Sequence, residues 1–389
     1  MPLVVQKYGG TSVSTEERRQ QVIGKIIKAK EAGNDVVVVV SAMGRKGDPY
    51  ATDTLLEMLK SVPGKAPSDR TKDMIASCGE IISSCVLASS IEEHGYAAMP
   101  LTGFQAGIQT NNEFTNGLVE KVDTSRIRQI LATGAIAVVA GFQGCNVEND
   151  LVTLGRGGSD TTAIALGGAM NAEEVIIYTD VPGIAYTDPR IIPSVPFLKS
   201  IDFAPMYILA RTGAKVVHYR AIETAIQFNR PFWVRSTFSE DPGTLIGQKG
   251  EAPGGLFGIS LMKDLVLAYR KKDPCKLLEE LAVNEWFYRQ HPQRASVILS
   301  PEKVWKVPAD CHIKEVSIIT LQWDPEAGIT PETVATALDS HGIVREAYFP
   351  VPQGGAWAIE SARSKEAILA LYRAPLHKRT PENREQTSK

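Results

Sequence analysis

The residues best placed to do chemistry lie between Leu151 and Ala165, read as Leu-Val-Thr-Leu-Gly-Arg-Gly-Gly-Ser-Asp-Thr-Thr-Ala-Ile-Ala. Gly155, Gly157 and Gly158 surround Arg156 and run into Ser159 and Asp160, and an apolar helical pattern follows through Ile164, Leu166 and Met170. Ser159 is a natural N-cap, which would place the glycines in a loop feeding a helix N-terminus. Glycine lets backbone N–H groups approach an anion closely, and the helix end adds partial positive charge. Arg156 could hold a carboxylate or phosphate through a bidentate fork, and Asp160, in the first turn, could act on a cation or a proton. A tight, well-capped strand-to-helix turn would use the same glycines. An arginine and an aspartate inside that turn favour a binding site.

Other residues of this kind fall at the ends of apolar strands. Leu3 to Gln6 reads as a strand running into Lys7-Tyr8-Gly9-Gly10-Thr11-Ser12, and Val36 to Val40 as a buried strand running into Ser41-Ala42-Met43-Gly44. An amphipathic helix from Thr15 to Ala32, with Val22, Ile23, Ile26 and Ile27 on one face, makes this a βαβ crossover. Lys7 precedes its glycines, whereas a P-loop lysine follows them. At a strand's carboxyl end it can still reach the ligand edge of an α/β sheet. Thr52-Asp53 reads as the cap of a helix from Thr54 to Lys60.

A helix from Arg70 to Glu93 carries Ser77, Gly79, Glu80, Ser83 and Ser84 among apolar residues, where a ligand or another helix comes close. Ala97 to Leu101 reads as a strand, followed by a polar stretch through Asn116, a helix from Asp123 to Ala132 and a strand from Ile136 to Ala140. Val175 to Tyr178 is a strand ending in Thr179-Asp180, with the polar loop Ile184 to Arg190 beyond it. Lys215 opens a helix from Val216 to Phe228, and Phe232 to Arg235 reads as the last strand of the sheet. Lysine, serine, glycine, arginine, aspartate and threonine thus recur at one edge.

From Ser236 to Gly258 two prolines and six glycines mark a linker. Beyond it, strands at Leu256–Tyr269, Trp286–Tyr288, Ala295–Leu299, Val316–Leu321, Ile343–Phe349 and Ala356–Ile359 alternate with three helices. These helices run from Asp273 to about Asn284, from the Thr330-Pro331 cap to His341 and from Ser364 to Tyr372. Two short β-α-β-β-α modules result, 256–307 and 308–374, with a polar, disordered tail at 375–389.

Composition narrows the class. A chain of 389 residues needs more than one core, and 43% hydrophobic with 22% charged residues is that of an ordinary soluble protein. A net charge of -2 gives no footprint for nucleic acid or an anionic membrane. No uninterrupted apolar run reaches the roughly 20 residues of a membrane span, and the first residues lack a signal-peptide layout. Five scattered cysteines without a Cys-x-x-Cys argue for a reducing cytoplasm and against a zinc site, and no other metal-ligand set stands out.

Taken together, Lys7-Tyr8-Gly9-Gly10-Thr11-Ser12, Ser41-Ala42-Met43-Gly44, Gly79-Glu80, Thr153 to Asp160, Thr179-Asp180 and Gly213-Ala214-Lys215 resemble the aspartokinases, in order and spacing, across residues 3 to 247. The insert from Lys46 to Asp53 resembles the bacillus-type enzyme of the diaminopimelate and dipicolinate branch. The resemblance implies an α/β protein: a three-layer α/β/α sandwich of the amino-acid kinase fold over 1–247, followed by two small α+β ACT-like modules. It implies transfer of the ATP γ-phosphoryl group to the side-chain carboxylate of L-aspartate, giving 4-phospho-L-aspartate on the way to lysine, threonine and methionine.

By the same resemblance Lys7 steadies the transferring phosphoryl group, Gly9 and Gly10 cradle phosphates, and Thr11, Ser12 and Ser41 add donors. Arg156 grips the substrate α-carboxylate and Glu80 its α-ammonium. Thr52, Gly157, Gly158 and Ser159 line the aspartate side, and Asp160 organises the transfer centre, including the Mg2+ that arrives with ATP. Thr179, Asp180, Tyr186, Arg190 and Lys215 line the nucleotide side. An amino-acid effector at the ACT-like modules and a homodimer or larger assembly are also implied.

Two departures stand out. His218 is followed by Tyr219 where the family usually has proline, and Asn284-Glu285-Trp286-Phe287-Tyr288 replaces the strand that commonly contacts the effector. The second departure points to retained catalysis with weakened, lost or retuned feedback. A kinase of the same fold acting on another acid, such as glutamate, is the nearest alternative, and a catalytically silent amino-acid sensor is a second. A nicotinamide-dependent oxidoreductase is disfavoured because no Gly-x-Gly-x-x-Gly follows the first strand.

Overall fold

The computed structural model describes residues 1–247, 255–270, 281–291, 294–374 and 376. Two compact units emerge, Met1–Ile184 with Val216–Gln248, and Ala185–Lys215 with Lys249–Lys389. Residues 185–215, expected as part of a continuous 1–247 domain, therefore group with the C-terminal half.

In chain order the first unit contains β1 (Leu3–Tyr8), α1 (Glu16–Glu31), β2 (Asp35–Val40), α2 (Thr52–Lys60), α3 (Asp69–Glu93), β3 (Ala98–Leu101), β4 (Ile108–Thr110) and β5 (Val119–Val122). It continues with α4 (Ser125–Ala132), β6 (Ile136–Ala140), β7 (Gln143–Cys145), β8 (Leu151–Thr153), α5 (Gly158–Ala169) and β9 (Glu174–Thr179). The chain then gives β10 (Ser200–Ile201) and α6 (Phe203–Arg211) to the second unit before α7 (Tyr219–Gln227), β11 (Phe232–Ser236) and β12 (Thr244–Ile246) complete the first.

The first unit's main sheet runs β12-β11-β9-β1-β2-β6-β3. Every neighbouring pair is parallel except β11 and β12. Phe232 to Arg235 is therefore not the last strand, and the expected linker contains one, because Thr244–Ile246 folds back on β11. Alternate residues supply the two faces: Val36, Val38, Val40, Ile136 and Val138 pack with Val22, Ile23, Ile26 of α1 and Leu87, Ala88, Ile91 of α3. Helix α5 lies against β1, β2 and β9 and contacts α7. Gly167 makes this close fit possible, since an added Cβ would meet Val175 at 2.2 Å. The result is a three-layer α/β/α sandwich.

Register decides where the chemistry sits. Tyr8 pairs with Val40 and Tyr178, and Val40 with Ala140, so four strands reach the same edge together. Loops starting at Gly9, Ser41, Gly141 and Asp180 all leave from there. A second sheet, β5-β4-β7-β8, was not expected, and its β4 lies in the stretch through Asn116 that was expected to be polar loop. Its strands are three or four residues long, too short for alternation to show.

Helix α3 spans 25 residues and by length and composition could cross a membrane, although half of its most apolar 18-residue window is buried in the fold. Its buried side carries Asp73, Ser77, Glu80, Ser83 and Ser84, a polar face that serves loops of the first unit.

The second unit holds, besides β10 and α6, the strands β13 (Leu256–Arg270), β14 (Tyr288–His291), β15 (Arg294–Leu299) and β16 (His312–Trp323), then α8 (Pro331–Asp339), β17 (Arg345–Val351), β18 (Gly354–Ile359) and α9 (Ser364–Arg373). Its antiparallel strands form one sheet, β14-β15-β13-β16-β18-β17. β13 pairs with β16 from Leu256↔Trp323 to Tyr269↔His312, so the two expected modules share a continuous sheet. One face packs Ile259, Ile319, Leu321 and Trp357 under Val334 and Leu338 of α8 and Ile368 and Leu371 of α9. The other receives Ile208 of α6.

The expected strand at Trp286–Tyr288 begins only at Tyr288. Asn284 Oδ1 accepts the Trp286 N–H at 3.1 Å and winds Glu285–Phe287 into a 3-10 turn. Residues 273–280 of the expected Asp273 helix, and the tail except 376, lie outside the described residues.

Candidate active site

Lys7, on the face of β1 that meets α5, is 9% exposed, and its Nζ lies 2.7 Å from Asp160 Oδ1. A strand end thereby presents a cation at the N-terminus of a helix. Gly9 leaves room beside it, since a Cβ there would stand 3.7 Å from Lys7 Nζ. Gly10 allows the β1 and β2 loops to touch: a Cβ would fall 2.4 Å from the Ala42 carbonyl oxygen. Gly44 N–H donates to the Gly10 carbonyl at 3.1 Å and Ser41 N–H to that of Tyr8 at 3.1 Å. Thr11 uses its carbonyl to hold Arg18 Nη1 at 2.8 Å. Ser12 is fully buried, and its hydroxyl is shared with Thr237 at 2.7 Å, a pairing that joins residues 225 apart in the chain.

Glu80 projects from α3 into this region and is 3% exposed. One carboxyl oxygen accepts the Ala42 N–H at 3.0 Å, while Oε2 is buried without a hydrogen-bond partner. Burial pushes its pKa up to about 8, against the pull of the Ala42 N–H and the nearby charge of Lys7. A buried carboxyl oxygen left without a partner suits an incoming ammonium group. Gly79 lets α3 come this close, as a Cβ there would be 2.7 Å from both Ala42 Cβ and the Tyr50 carbonyl oxygen.

The glycine loop is built differently from the expectation. α5 starts at Gly158, with Gly157 as N-cap at φ 76°, so Ser159 is inside the helix and not its cap. Gly157 also lies against His218, which a Cβ would approach to 2.4 Å. Ser159 is buried against Gly141, whose added Cβ would stand 2.9 Å from the serine hydroxyl. Arg156 is exposed and makes no ion pair or hydrogen bond among the described residues, leaving its fork open. Thr52 is the first residue of α2, whose N-cap position is Ala51 with no side-chain cap bond, so the expected Thr52-Asp53 cap is not formed.

Thr179 closes β9; its hydroxyl donates to Asp180 at 3.3 Å, and Asp180 pairs with Arg45 at 3.1 Å. Tyr186, Arg190 and Lys215 belong to the second unit. Tyr186 packs against that unit's core, where burial pushes its hydroxyl up to about 12. Arg190 grips Asp188, with Nη2 2.7 Å from Oδ2. Lys215 is exposed but opens no helix: α7 begins at Tyr219 behind the His218 N-cap.

Two buried residues escaped the sequence reading. Asp73 accepts the backbone N–H groups of Thr115 and Thr153 at 2.8 and 2.9 Å and the Thr153 hydroxyl at 2.6 Å. Gln143 donates from Nε2 to the Ser77 carbonyl at 2.9 Å. The available signal was spacing: Asp73, Ser77 and Glu80 share a helical face.

Residues 2–236 match the model of the amino acid kinase family. The chain is 44% identical over 272 residues to aspartokinase 1 of Bacillus subtilis, covering 68% of this chain and 67% of that protein. It is 46% identical over 249 residues to the aspartokinase of Geobacillus stearothermophilus, covering 64% of this chain and 60% of the relative, so under two thirds of that protein is spanned. Its fold is similar to Escherichia coli aspartokinase III, with a TM-score of 0.75 at 20% identity, covering 95% of this chain and 99% of that one. The E. coli protein has been solved with aspartate and ADP, and with lysine and aspartate.

Proposed function

We infer that this chain, which belongs to the amino acid kinase family and within it to the aspartokinases, transfers the γ-phosphoryl group of ATP to the side-chain carboxylate of L-aspartate. The observation that carries the chemistry is the Lys7–Asp160 pair at the α5 N-terminus, beside the open acceptor of Glu80. One carboxylate oxygen of aspartate attacks the γ-phosphorus as the bond to the ADP oxygen breaks. The nucleophile is already ionised, so no general base is required. What the site must supply is alignment of two anions and relief of their repulsion.

Lys7 meets the charge that spreads over the transferring oxygens, and Asp160 holds Lys7 in position. Backbone N–H groups at Gly9, Gly10 and the α5 N-terminus face the phosphates, with Thr11, Ser12, Ser41, Thr179 and Asp180 around them. Arg156 forks onto the substrate α-carboxylate and Glu80 receives its ammonium, with Thr52, Gly157, Gly158 and Ser159 alongside. The resemblance adds Tyr186, Arg190 and Lys215 as nucleotide contacts. The oxygen donors fit Mg2+ that enters with ATP: among the described residues no three His, Cys, Asp or Glu side chains gather into a cage, and Asp160 is the carboxylate at the transfer centre. When bound, the ion supplies further neutralisation of phosphate charge.

The C-terminal sheet is the regulatory part in this reading, and the chain acts as a homodimer or larger assembly in the cytoplasm. ADP release from MgATP, measured with L-aspartate and with L-glutamate, tests the assignment. Turnover that depends on aspartate and falls by about 100-fold or more in Lys7→Ala is expected. Binding of aspartate without turnover in the unsubstituted protein would instead indicate a sensor.

A further inference from the structure

Asp73 lies outside every binding role assigned above, yet it is 1% exposed and all of its hydrogen-bonding is directed at one place. Its Oδ2 accepts two backbone N–H groups, Thr115 at 2.8 Å and Thr153 at 2.9 Å, while Oδ1 accepts the Thr153 hydroxyl at 2.6 Å. Thr153 ends β8 and stands three residues before Arg156. Thr115 is held at φ 65°, a left-handed conformation that a β-branched residue adopts only under external constraint. The turn that follows is tied to the same strand end, through Gly117 N–H to the Thr153 carbonyl at 2.8 Å.

Helix α3 therefore meets two loops through buried polar contacts. Asp73 fixes the start of the Arg156 loop, and Glu80 fixes Ala42 at 3.0 Å. Seven residues separate them, which is two helical turns or about 10 Å. Two turns of rigid helix with a loop anchor at either end of them set the spacing between the group that takes the substrate ammonium and the loop that carries the arginine for its α-carboxylate.

We propose that Asp73 is a positioning residue for aspartate recognition, holding the Arg156 loop in register with Glu80. This rests on the aspartate kinase reading. A misplacement of about 1 Å can cost on the order of 100-fold. The cost should fall on the amino acid side, because the bonds of Asp73 end on β8 and the 115–117 turn and none reaches the β9 edge, where Thr179 and Asp180 lie.

Steady-state kinetics of Asp73→Ala, Asp73→Asn and Thr153→Val test this. Asparagine keeps an oxygen for the two N–H groups and offers its amide to the Thr153 hydroxyl, which can turn to accept. Asp73→Ala is expected to raise KM for L-aspartate by about 10-fold or more while KM for ATP stays within about twofold. Asp73→Asn should bring the aspartate KM back to within about threefold of the unsubstituted value. Thr153→Val, which removes one donor without removing the carboxylate, should show the same split at smaller amplitude and decides the matter if Asp73→Ala does not fold. Parallel rises in both KM values, an unchanged aspartate KM, or Asp73→Asn behaving like Asp73→Ala would overturn the proposal. Failure of the underlying reading looks different: the unsubstituted protein would then show no aspartate-dependent turnover at all.

Discussion

Glu80 shows how burial can turn an ordinary side chain into a pH-dependent contact. Its folded-state pKa of about 8 lies above the ordinary carboxyl value of 4.5. Between those limits the folded protein keeps a proton that the unfolded chain has released. Stability from this group is thus complete below about pH 4.5 and falls by up to about 1.4 kcal/mol per pH unit as pH rises toward 8. Glu80→Gln should flatten that fall in urea denaturation at a series of pH values. An ammonium bound to Glu80 favours its ionised form, so binding of L-aspartate below pH 8 should expel a proton. Calorimetry at pH 7 in two buffers of different ionisation enthalpy should find close to one proton released per site, and none for Glu80→Gln. For Lys7→Ala, which removes the cation beside the transferred group, kcat should fall by about 100- to 1,000-fold. Aspartate should still bind to it in calorimetry.

At the scale of elements, the site depends on loops that approach more closely than a side chain allows. Gly10 is the clearest case, because the atom a Cβ would strike at 2.4 Å is a backbone carbonyl oxygen that cannot rotate away. Gly10→Ala should cost about 2–3 kcal/mol in denaturant unfolding and depress turnover, since both loops must separate. Gly24, within α1, has nothing within 4 Å of an added Cβ. Gly24→Ala should stabilise by about 0.5–1 kcal/mol and leave turnover unchanged. The two glycines look alike in sequence, and their opposite predicted effects follow from surroundings alone. The same applies to Ser159: it reads as a cap, but Gly157 takes that position because a left-handed residue fits there against His218.

At the scale of the whole molecule, the C-terminal half is the part furthest from family expectation. Its two modules share one sheet, and Asn284, in the stretch that by the resemblance replaces the family's effector-contacting strand, is spent on capping a 3-10 turn. Arg211 of α6 also packs its guanidinium over Trp286, at 5.6 Å. With the polar side chain of Asn284 engaged and Trp286 packed in this way, feedback should be weakened or retuned. Saturating lysine, threonine or diaminopimelate is expected to leave most aspartate-dependent turnover intact, and strong inhibition at low effector concentration would reverse this conclusion.

The sequence by itself determined the strand ends and their chemistry. Valine runs can only be buried strands, glycines and polar residues can only follow them as loops, and parallel βαβ units bring such loops to one edge. The Lys7, Ser41 and Thr179 loops were legible for that reason, the Arg156 loop from its three glycines, and the sandwich from the family resemblance. Tertiary structure alone decided which polar groups remain open. Ser12 is paired with Thr237, 225 residues away, and Asp73 with Thr153, 80 residues away. Glu80 keeps one oxygen unpartnered. Hydrogen-bond partners so distant along the chain leave no periodicity to read, and a three-residue strand such as β8 is too short to announce itself. The grouping of residues 185–215 with the C-terminal sheet was hidden likewise, because its bonds, such as Thr212 to Ser260 at 2.9 Å, form only once both segments have folded.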